Sequence, residues 1–273
     1  MKQKTAVVTG ASKGIGLAIA HMLLAEGYRV FGLSRHPGPC VCPVPSSAAR
    51  GAVVWIACDI ADPASVRAAF HSIRHQSPRI DLLVNNAGIG ISGAAEFARE
   101  EDIDRQIQVN LSGVIRCTRQ VLPAMRRQGH GNIIFISSLG AVFPLPFQSI
   151  YSVSKAGLNA FCDALGLEVK PFGIETCTLL LNDVKTEFTA SRLKNTQGDE
   201  LYQGRIRASV SKMERSEQNG MSPEQIAGAL RRLLRRRHLP PHYIVGFSNQ
   251  LLGLANRLLP TRVMLSILGR IYG

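Results

Sequence analysis

The chain has 273 residues, of which 45% are hydrophobic and 19% are charged, and its formal net charge is +13. That balance is typical of a globular domain with one substantial core and excludes a disordered chain. The six cysteines are scattered and fit reduced thiols, and no apolar run approaches the roughly eighteen residues of a membrane-spanning helix, so we expect a cytoplasmic protein.

A short apolar strand over residues 4–9 opens the chain and leads through a glycine-rich turn into a helix over 14–26. Because the strand starts this early, we expect no cleavable signal peptide. A strand, a glycine turn and a helix form the arrangement that binds dinucleotides, since glycine lets the backbone approach phosphate and a helix N-terminus favours anions. The spacing here is not G-x-G-x-x-G. The turn residues expected to contact a dinucleotide are Gly10, Ser12, Lys13, Gly14, Ile15 and Gly16.

Strands and helices alternate through the rest of the chain. Further strands are predicted over 28–34, 52–58, 80–85, 131–137, 174–181 and 242–246. Helices are predicted over 63–76, 100–127, 149–170 and 222–237, with more helix after 248. The strand segments are apolar without polar alternation, as expected for strands covered on both faces. The predicted fold class is α/β: a Rossmann-like doubly wound parallel β-sheet with helices on both faces in one domain, 1–247, plus a helical C-terminal extension, 248–273.

The segment from His36 to Arg50 carries four prolines and two cysteines, which predicts a loop with at most a short helix. The two cysteines, Cys40 and Cys42, have no further metal ligands near them in the sequence. His71 and His75 share a helical face but also lack an evident third ligand. We therefore predict no metal site.

Tyr151 and Lys155 are four residues apart, so the phenol and the ammonium group share one face of the helix predicted over 149–170. A nearby cation lowers the pKa of a phenol from about 10 towards neutrality, which would let Tyr151 donate and accept a proton. On its own this spacing is common in solvated helices. Its significance comes from the glycine turn and from Ser138, thirteen residues upstream of Tyr151.

Several groups of residues occur in an order and at a spacing that indicate one family. They are, in chain order, Thr9–Gly16, Asp59–Ile60, Asn85–Gly88, Asn110, Ser138, Tyr151–Lys155 and Val184–Thr186. Across residues 4–190 the chain resembles the short-chain dehydrogenase/reductase family. The resemblance implies an enzyme that transfers hydride between a nicotinamide cofactor and a carbonyl or secondary alcohol, and it implies a homodimer or homotetramer.

The resemblance also implies a role for each catalytic residue. Tyr151 is the proton donor, and Lys155 lowers its pKa and binds the nicotinamide ribose. Ser138 orients and polarises the carbonyl, an oxyanion-type contact. Asn110 corresponds to the asparagine that anchors a proton-relay water.

Further cofactor contacts are implied by the same resemblance. Asp59 and Ile60 are expected at the adenine, and Asn86, Ala87 and Gly88 along the adenosine; Val184 and Thr186 are expected at the nicotinamide carboxamide. The chain departs from the family at Leu181-Asn182, where relatives carry Pro-Gly. Because Asn tolerates a left-handed backbone, we expect Asn182 to keep the geometry of that glycine.

The end of the second strand, Ser34-Arg35, predicts which nicotinamide cofactor is used. Relatives that bind NAD place an acid here to hold the ribose 2′-hydroxyl, and that acid would repel a 2′-phosphate. A serine followed by a guanidinium suits the phosphate, and Lys13 supplies a second cation. We predict NADP(H).

The substrate is expected to be a hydrophobic ketone or alcohol. A polar lid is predicted over about 182–221, and Gly140–Phe147 supplies an apolar wall beside the chemistry. The segments 144–151 and 168–173 resemble the hydroxysteroid and retinol dehydrogenases of the family. Two alternatives stay open: a 3-oxoacyl-thioester reductase whose arginines would meet an acidic carrier or coenzyme A, and a non-catalytic NADP-binding regulator.

The C-terminal segment from Arg231 to Gly273 contains eight arginines and no Asp, Glu or Lys. Apolar residues recur at helical spacing on both sides of Pro260. Such a basic, apolar-striped pair of helices either packs on the domain, covers the pocket, joins two subunits or contacts an anionic membrane peripherally. No recognition motif supports nucleic-acid binding, so none is predicted.

Overall fold

The computed structural model describes residues 3–36 and 52–272, which include a seven-stranded and a two-stranded sheet. The strands are β1 (Thr5–Thr9), β2 (Arg29–Ser34), β3 (Val54–Ala57), β4 (Leu82–Asn85), β5 (Ile91–Ser92), β6 (Gly131–Ser138), β7 (Ile174–Leu181), β8 (Leu193–Lys194) and β9 (His242–Ile244). The helices are α1 (Gly14–Ala25), α2 (Pro63–Gln76), α3 (Glu100–Ile107), α4 (Val114–Gln128), α5 (Ser149–Val169), α6 (Glu187–Ser191), α7 (Arg205–Gln218), α8 (Pro223–Leu234), α9 (Phe247–Leu258) and α10 (Thr261–Tyr272). The loop predicted from His36 to Arg50, apart from His36 itself, lies outside the described residues, with Cys40 and Cys42.

All strands of the large sheet run parallel, in the order β3-β2-β1-β4-β6-β7-β9. Alternate residues of β1 show how the sheet is covered: Ala6 and Val8 pack in one core layer with α1 and α8. Val7 points to the other layer, which contains α2, α4 and α5. The predicted doubly wound parallel sheet with helices on both faces is therefore confirmed.

The strand order reverses between β1 and β4. At such a point the connections leave in opposite directions and a crevice opens beyond the carboxyl ends of the strands, where open α/β sheets bind ligands. The turn after Thr9 and the segment after Asn85 both begin there. The fold thus brings the predicted glycine turn next to Asn86.

The helix predicted over 100–127 is divided in the structure. Residues Gln108–Gly113 form a π-helical turn between α3 and α4. This turn carries Asn110, which is completely buried. Single π turns inside α-helices frequently occur at functional sites, because the extra residue changes the direction of a side chain.

The C-terminal extension is helical, as predicted. Its inner face packs on the domain: Met264 of α10 is buried against Leu139, Phe143 and Leu180. In addition, Lys212 of α7 donates a hydrogen bond from Nζ to the carbonyl of Ile271 at 2.6 Å. None of the helices in the described part of the chain is both long enough and apolar enough to cross a bilayer.

Candidate active site

The glycine turn lies closely against the segment after β4. Gly10 has a positive φ of 63°, and Gly16 has no room for a side chain. A Cβ on Gly16 would lie 2.2 Å from the Gly10 carbonyl oxygen and 2.5 Å from Asn86 Nδ2. Asn86 holds the turn by donating from Nδ2 to the carbonyls of Thr9 and Gly10, at 3.0 and 3.1 Å. Helix α1 begins at this turn without a side-chain cap, so N–H groups of its first turn remain available, which fits a pyrophosphate.

We expect Gly16→Ala to disrupt this turn. Because the nearest atoms are backbone and a hydrogen-bonded amide, the added methyl group must displace the turn, a kind of overpacking that costs about 1–3 kcal/mol. The variant should lower the melting temperature by roughly 2–10 °C and weaken nicotinamide dinucleotide binding at least about tenfold. Thermal unfolding and fluorescence titration measure the two effects.

Gly228→Ala is the matched control for that variant. Gly228 lies inside α8, and a Cβ there would have a single neighbour, Arg232 Nη1, at 4.0 Å. Since Ala favours a helix interior over Gly by about 1 kcal/mol, this change should raise stability and leave binding unchanged. Equal effects of the two substitutions would show that the Gly16 contact does not matter.

Ser34, Arg35, Asp59 and Ile60 meet at the carboxyl edge of the sheet, because β2 and β3 pair as far as Ser34 and Ala57. The Ser34 hydroxyl donates to the His36 carbonyl at 2.5 Å, while Arg35 is exposed. Asp59 Oδ1 accepts a hydrogen bond from the amide of Ala61 at 2.9 Å, and Ile60 is buried. The residues predicted for the adenosine half of a dinucleotide thus share one edge of the crevice.

The segment after β7 returns to the glycine turn. Val184 forms a parallel bridge with Met221. Thr186 caps α6 by accepting a hydrogen bond from the Phe188 amide, and its side chain lies 3.6 Å from where a Cβ on Gly14 would be. Lys13 forms an ion pair with Glu187 at 3.1 Å, and both side chains are mostly exposed.

The expectation that Asn182 keeps a left-handed geometry is wrong. Among the described residues, the non-glycine residues with positive φ are Phe147 and Gln203. Asn182 instead donates from Nδ2 to Asp183 Oδ2 at 3.3 Å. Without the proline and glycine of its relatives, the chain leaves β7 by an ordinary backbone path and still brings Thr186 to the glycine turn.

Asn110 connects the segment after β4 to helix α5. Its Oδ1 accepts from the Ile89 amide at 2.8 Å, and its Nδ2 donates to the Ile89 carbonyl at 2.9 Å and to Ser154 Oγ at 3.2 Å. Ser154 in turn donates to the carbonyl of Tyr151 at 2.7 Å. Asn110 therefore fixes the relative positions of two elements that carry predicted site residues.

Ser138 lies beside Tyr151 at the end of β6. Its Oγ accepts a hydrogen bond from the Gly140 amide at 3.0 Å, which leaves its proton free to point at the phenol. Burial raises the pKa of Tyr151 because it disfavours the phenolate; a hydrogen bond from Ser138 and the charge of Arg192 act in the opposite direction. The pKa of Tyr151 was predicted to be lowered towards neutrality, and that prediction is wrong, because burial outweighs the effects of Ser138 and Arg192.

Lys155 is buried beneath Tyr151. Its Nζ donates to the Ile136 carbonyl at 2.9 Å and lies 5.9 Å from the centroid of the Tyr151 ring. Burial lowers the pKa of Lys155 to about 8. Within the described ranges the Ile136 carbonyl is its one hydrogen-bond acceptor, so further N–H bonds remain for a ribose. A Cβ on Gly88 would lie 3.8 Å from this Nζ and 3.4 Å from Asn110 Oδ1.

The lid contributes residues that sequence reasoning missed. The ring of Phe188, on α6, lies 6.3 Å from the ring of Tyr151. Behind it, Arg192 is buried and forms an ion pair with Glu217 of α7. No family-like motif marks these residues. The one feature of the sequence that could have indicated Phe188 is its apolar side chain two positions after Thr186. That feature alone does not place Phe188 beside Tyr151.

The wall predicted at Gly140–Phe147 divides into two parts. Phe143 packs under the C-terminal helices, with Val142 at its margin. Phe147 has a positive φ of 61° immediately before α5, and its ring lies 5.8 Å from that of Tyr202 in the lid. The wall thus connects the catalytic helix to both the lid and the C-terminal extension.

Known proteins match this chain over most of its length. The family model for short chain dehydrogenases matches residues 4–197. A 3-ketodihydrosphingosine reductase from Bacteroides thetaiotaomicron is 36% identical over 248 residues, covering 90% of this chain and 89% of that protein. A 3-oxoacyl-[acyl-carrier-protein] reductase from Escherichia coli is 34% identical over 186 residues, covering 68% of this chain and 75% of that protein.

A solved structure extends the comparison to the fold. A metagenomic short-chain oxidoreductase in complex with NADP has a TM-score of 0.68 to this chain at 26% identity, covering 89% of this chain and 96% of that one. Its likeness agrees with the parallel sheet of this chain.

Proposed function

The chain belongs to the short chain dehydrogenase family, so it is an oxidoreductase acting on C=O or CH–OH groups, and we propose that it is an NADPH-dependent reductase of lipophilic ketones. The observation that carries the proposal is the convergence of Ser138, Tyr151 and Lys155, which come from β6 and α5, beside Gly88 in the segment that packs on the glycine turn.

The site residues supply the proton side of the reaction. NADPH, when bound, supplies the hydride. Ser138 and the Tyr151 phenol donate hydrogen bonds to the carbonyl oxygen, and Tyr151 gives its proton to that oxygen as charge develops. The raised pKa of Tyr151 keeps the phenol protonated at neutral pH, which suits a proton donor. Lys155 holds a positive charge below Tyr151, so that it stabilises the phenolate left behind.

Asn110 and Lys155 are proposed to form the path that restores the proton. The point above Gly88 lies within 4 Å of both Asn110 Oδ1 and Lys155 Nζ. Asn110 Oδ1 keeps one lone pair after accepting from Ile89, so it can hold a water molecule there. Such a water would connect Lys155 to solvent.

NADP(H) is proposed as the cofactor because of the charges around the predicted adenosine site. Strand β2 ends at Ser34 and the exposed Arg35 follows it, so neither position carries a carboxylate. Lys13 is paired with Glu187, but the pair is exposed and such pairs contribute only about 0–1 kcal/mol. Lys13 can therefore turn to a 2′-phosphate, which makes a stronger charge-assisted hydrogen bond.

A long-chain ketone is the proposed substrate. The chain is 36% identical to a 3-ketodihydrosphingosine reductase, and 3-ketodihydrosphingosine is a lipid ketone. Phe188 supplies apolar surface against the Tyr151 ring, and Phe147, just before α5, packs on Tyr202 of the lid. These contacts are consistent with a lipophilic chain beside the reacting carbonyl, whether from a sphingoid base or from the steroid-like ketones of the predicted subfamily.

The experiment that tests this function follows NADPH oxidation with 3-ketodihydrosphingosine, steroid ketones, retinal and an acetoacetyl thioester. Turnover of a lipid ketone at the highest kcat/KM supports the proposal. Turnover of the thioester alone favours the second candidate, a 3-oxoacyl-thioester reductase, which the 34% identity to the Escherichia coli enzyme supports. NADPH binding without turnover of any ketone favours a non-catalytic regulator.

We propose that the outer face of α9 and α10 contacts anionic membranes. Leu251, Leu254 and Leu258 recur on one side of α9 and are more than half exposed. The described arginines around them are exposed, and the chain from Arg231 onwards has no acidic residue to repel a phospholipid headgroup. The inner face of the same helices packs on the wall of the site, so a lipid ketone would have a short path from bilayer to pocket.

The triple variant Leu251→Gln, Leu254→Gln, Leu258→Gln should reduce binding to phosphatidylserine-containing vesicles at least about tenfold. The reason is that full burial of one leucine side chain contributes roughly 1.5–3 kcal/mol of free energy. Vesicle sedimentation measures this binding. Leu167→Gln, at an exposed leucine of α5, is the control and should change nothing. Unchanged sedimentation of the triple variant, or its conversion to a smaller oligomer without loss of vesicle binding, would contradict a membrane-facing role.

A further inference from the structure

Arg192 is a buried cation in the lid, between α6 and β8. Its side chain is only 2% exposed, and its Nη2 donates to Glu217 Oε1. The other carboxylate oxygen of Glu217 accepts from the Thr189 hydroxyl at 2.5 Å. A charge buried to this extent requires a partner, and Glu217 is that partner. The ion pair therefore connects the turn after α6 to helix α7.

The ion pair does not use the whole guanidinium. Arg192 Nη1 is buried and has no hydrogen-bond partner among residues 3–36 and 52–272. The Nε edge faces Gly90, where an added Cβ would lie 3.4 Å away. An unpaired N–H of a charged group is among the costlier groups to bury, so its persistence here indicates a ligand that completes it.

The guanidinium lies on the catalytic side of the lid. Its carbon is 5.7 Å from the centroid of the Phe188 ring, and that ring is 6.3 Å from the ring of Tyr151. Both members of the ion pair act electrostatically on the Tyr151 phenol, Arg192 favouring and Glu217 disfavouring the phenolate. Phe188 is thus a neighbour that the Tyr151 ring and the Arg192 guanidinium share.

We infer that Arg192 is a specificity-determining residue that donates a hydrogen bond from Nη1 to a second oxygen of the substrate, a hydroxyl or carbonyl close to the ketone. Arginine has donors and no acceptor, so the group that it recognises is an oxygen acceptor. Because Glu217 already balances its charge, a neutral oxygen fits better than a carboxylate. The inference deepens the proposed ketone reduction and rests on it.

Two kinds of substrate carry such an oxygen. In a hydroxy ketone it is the hydroxyl, and in a 3-oxoacyl thioester it is the thioester carbonyl. A plain long-chain ketone lacks it. A site built to hydrogen-bond a substrate oxygen discriminates strongly against the analogue without it, because the buried donor then stays unpaired. The wild-type protein should therefore prefer at least one oxygenated ketone over the plain one.

The test compares kcat/KM for a 3-alkanone, its 1-hydroxy derivative and a 3-oxoacyl thioester of equal chain length. The double variant Arg192→Met, Glu217→Gln removes both charges together and so leaves no lone buried charge. We expect the oxygenated substrate to lose roughly tenfold to a hundredfold and the plain ketone to change less than about threefold. The oxygenated substrate with the selective loss identifies the source of the oxygen.

Arg207→Met is the matched control. Arg207 is also a lid arginine in an ion pair, with Asp199 at 3.2 Å, but it is exposed. The Arg207→Met substitution should leave kcat/KM for all three substrates unchanged. Thermal unfolding of each variant verifies the fold, and Arg192→Lys with Glu217 retained should restore part of the preference, since lysine keeps a donor.

Three results would overturn the inference, and the first two leave the proposed function standing. One is a wild-type protein that reduces plain and oxygenated ketones equally well. Another is a double variant that loses all substrates equally, which would show a structural role. The third is a binding result: equal increases of the melting temperature with the plain alcohol and with the diol product. We expect the two increases to differ. Equal increases would exclude the contact even if no ketone is reduced.

Discussion

Replacing Tyr151 with phenylalanine should lower kcat for ketone reduction by about three orders of magnitude, within the range expected for loss of general acid catalysis. The variant removes one oxygen atom and leaves the ring against Phe188 and above Lys155. Neither the glycine turn nor the Asn110 network uses the phenol hydroxyl, since Ser154 binds the backbone carbonyl of Tyr151. NADPH affinity should therefore change by less than about threefold.

Single-turnover rates and fluorescence titration of NADPH separate these two expectations. Tyr202→Phe is the control, because Tyr202 is a lid tyrosine whose hydroxyl donates to Glu96 at 2.8 Å, away from Ser138. Full activity in the Tyr151 variant would exclude the proposed proton donor. If biological activity persisted as well, a cofactor-binding regulator would become the better explanation of the fold.

Replacing Arg35 with aspartate should change the ratio of kcat/KM for NADPH over NADH at least about a hundredfold in favour of NADH. The loss of a charge-assisted hydrogen bond to the 2′-phosphate costs about 1.5–3 kcal/mol, and the new carboxylate repels the phosphate further. The same carboxylate, at the end of β2, is placed to accept the ribose 2′-hydroxyl of NADH. Both changes act in the same direction on the ratio.

Equilibrium dissociation constants for the two dinucleotides, measured beside the rates, show whether the change lies in binding. Arg127→Asp is a suitable control, since Arg127 is exposed near the end of α4. This end of α4 leads into β6, so it lies at the amino ends of the strands, opposite the carboxyl ends where Arg35 lies. An unaltered ratio in the Arg35 variant would remove the assignment of NADP(H), while leaving the ketone reductase proposal intact.

Local sequence patterns predicted the elements of the fold closely. Strand β7 and helix α2 have the predicted bounds, because apolar runs flanked by turn residues and a helix start marked by Asp62 and Pro63 are signals within a few residues. The π turn at Asn110 was not predicted, and the residues that the Asn110 side chain binds, Ile89 and Ser154, are distant from it in the sequence. Similarly, the loss of Pro-Gly at Leu181-Asn182 did not reveal which backbone path the chain would take.

The α/β class, the parallel sheet and the set of Ser138, Tyr151 and Lys155 could all be predicted from the sequence, because they depend on hydrophobic periodicity and on motifs of short range. The surroundings of Tyr151 could not be predicted in this way, because they are set by residues that are distant in the sequence. Burial, which depends on all neighbouring elements, raises the pKa of Tyr151 against the expected effect of Lys155. The pairing of Arg192 with Glu217 likewise joins residues that no local pattern relates, since they meet only when the lid folds over the crevice.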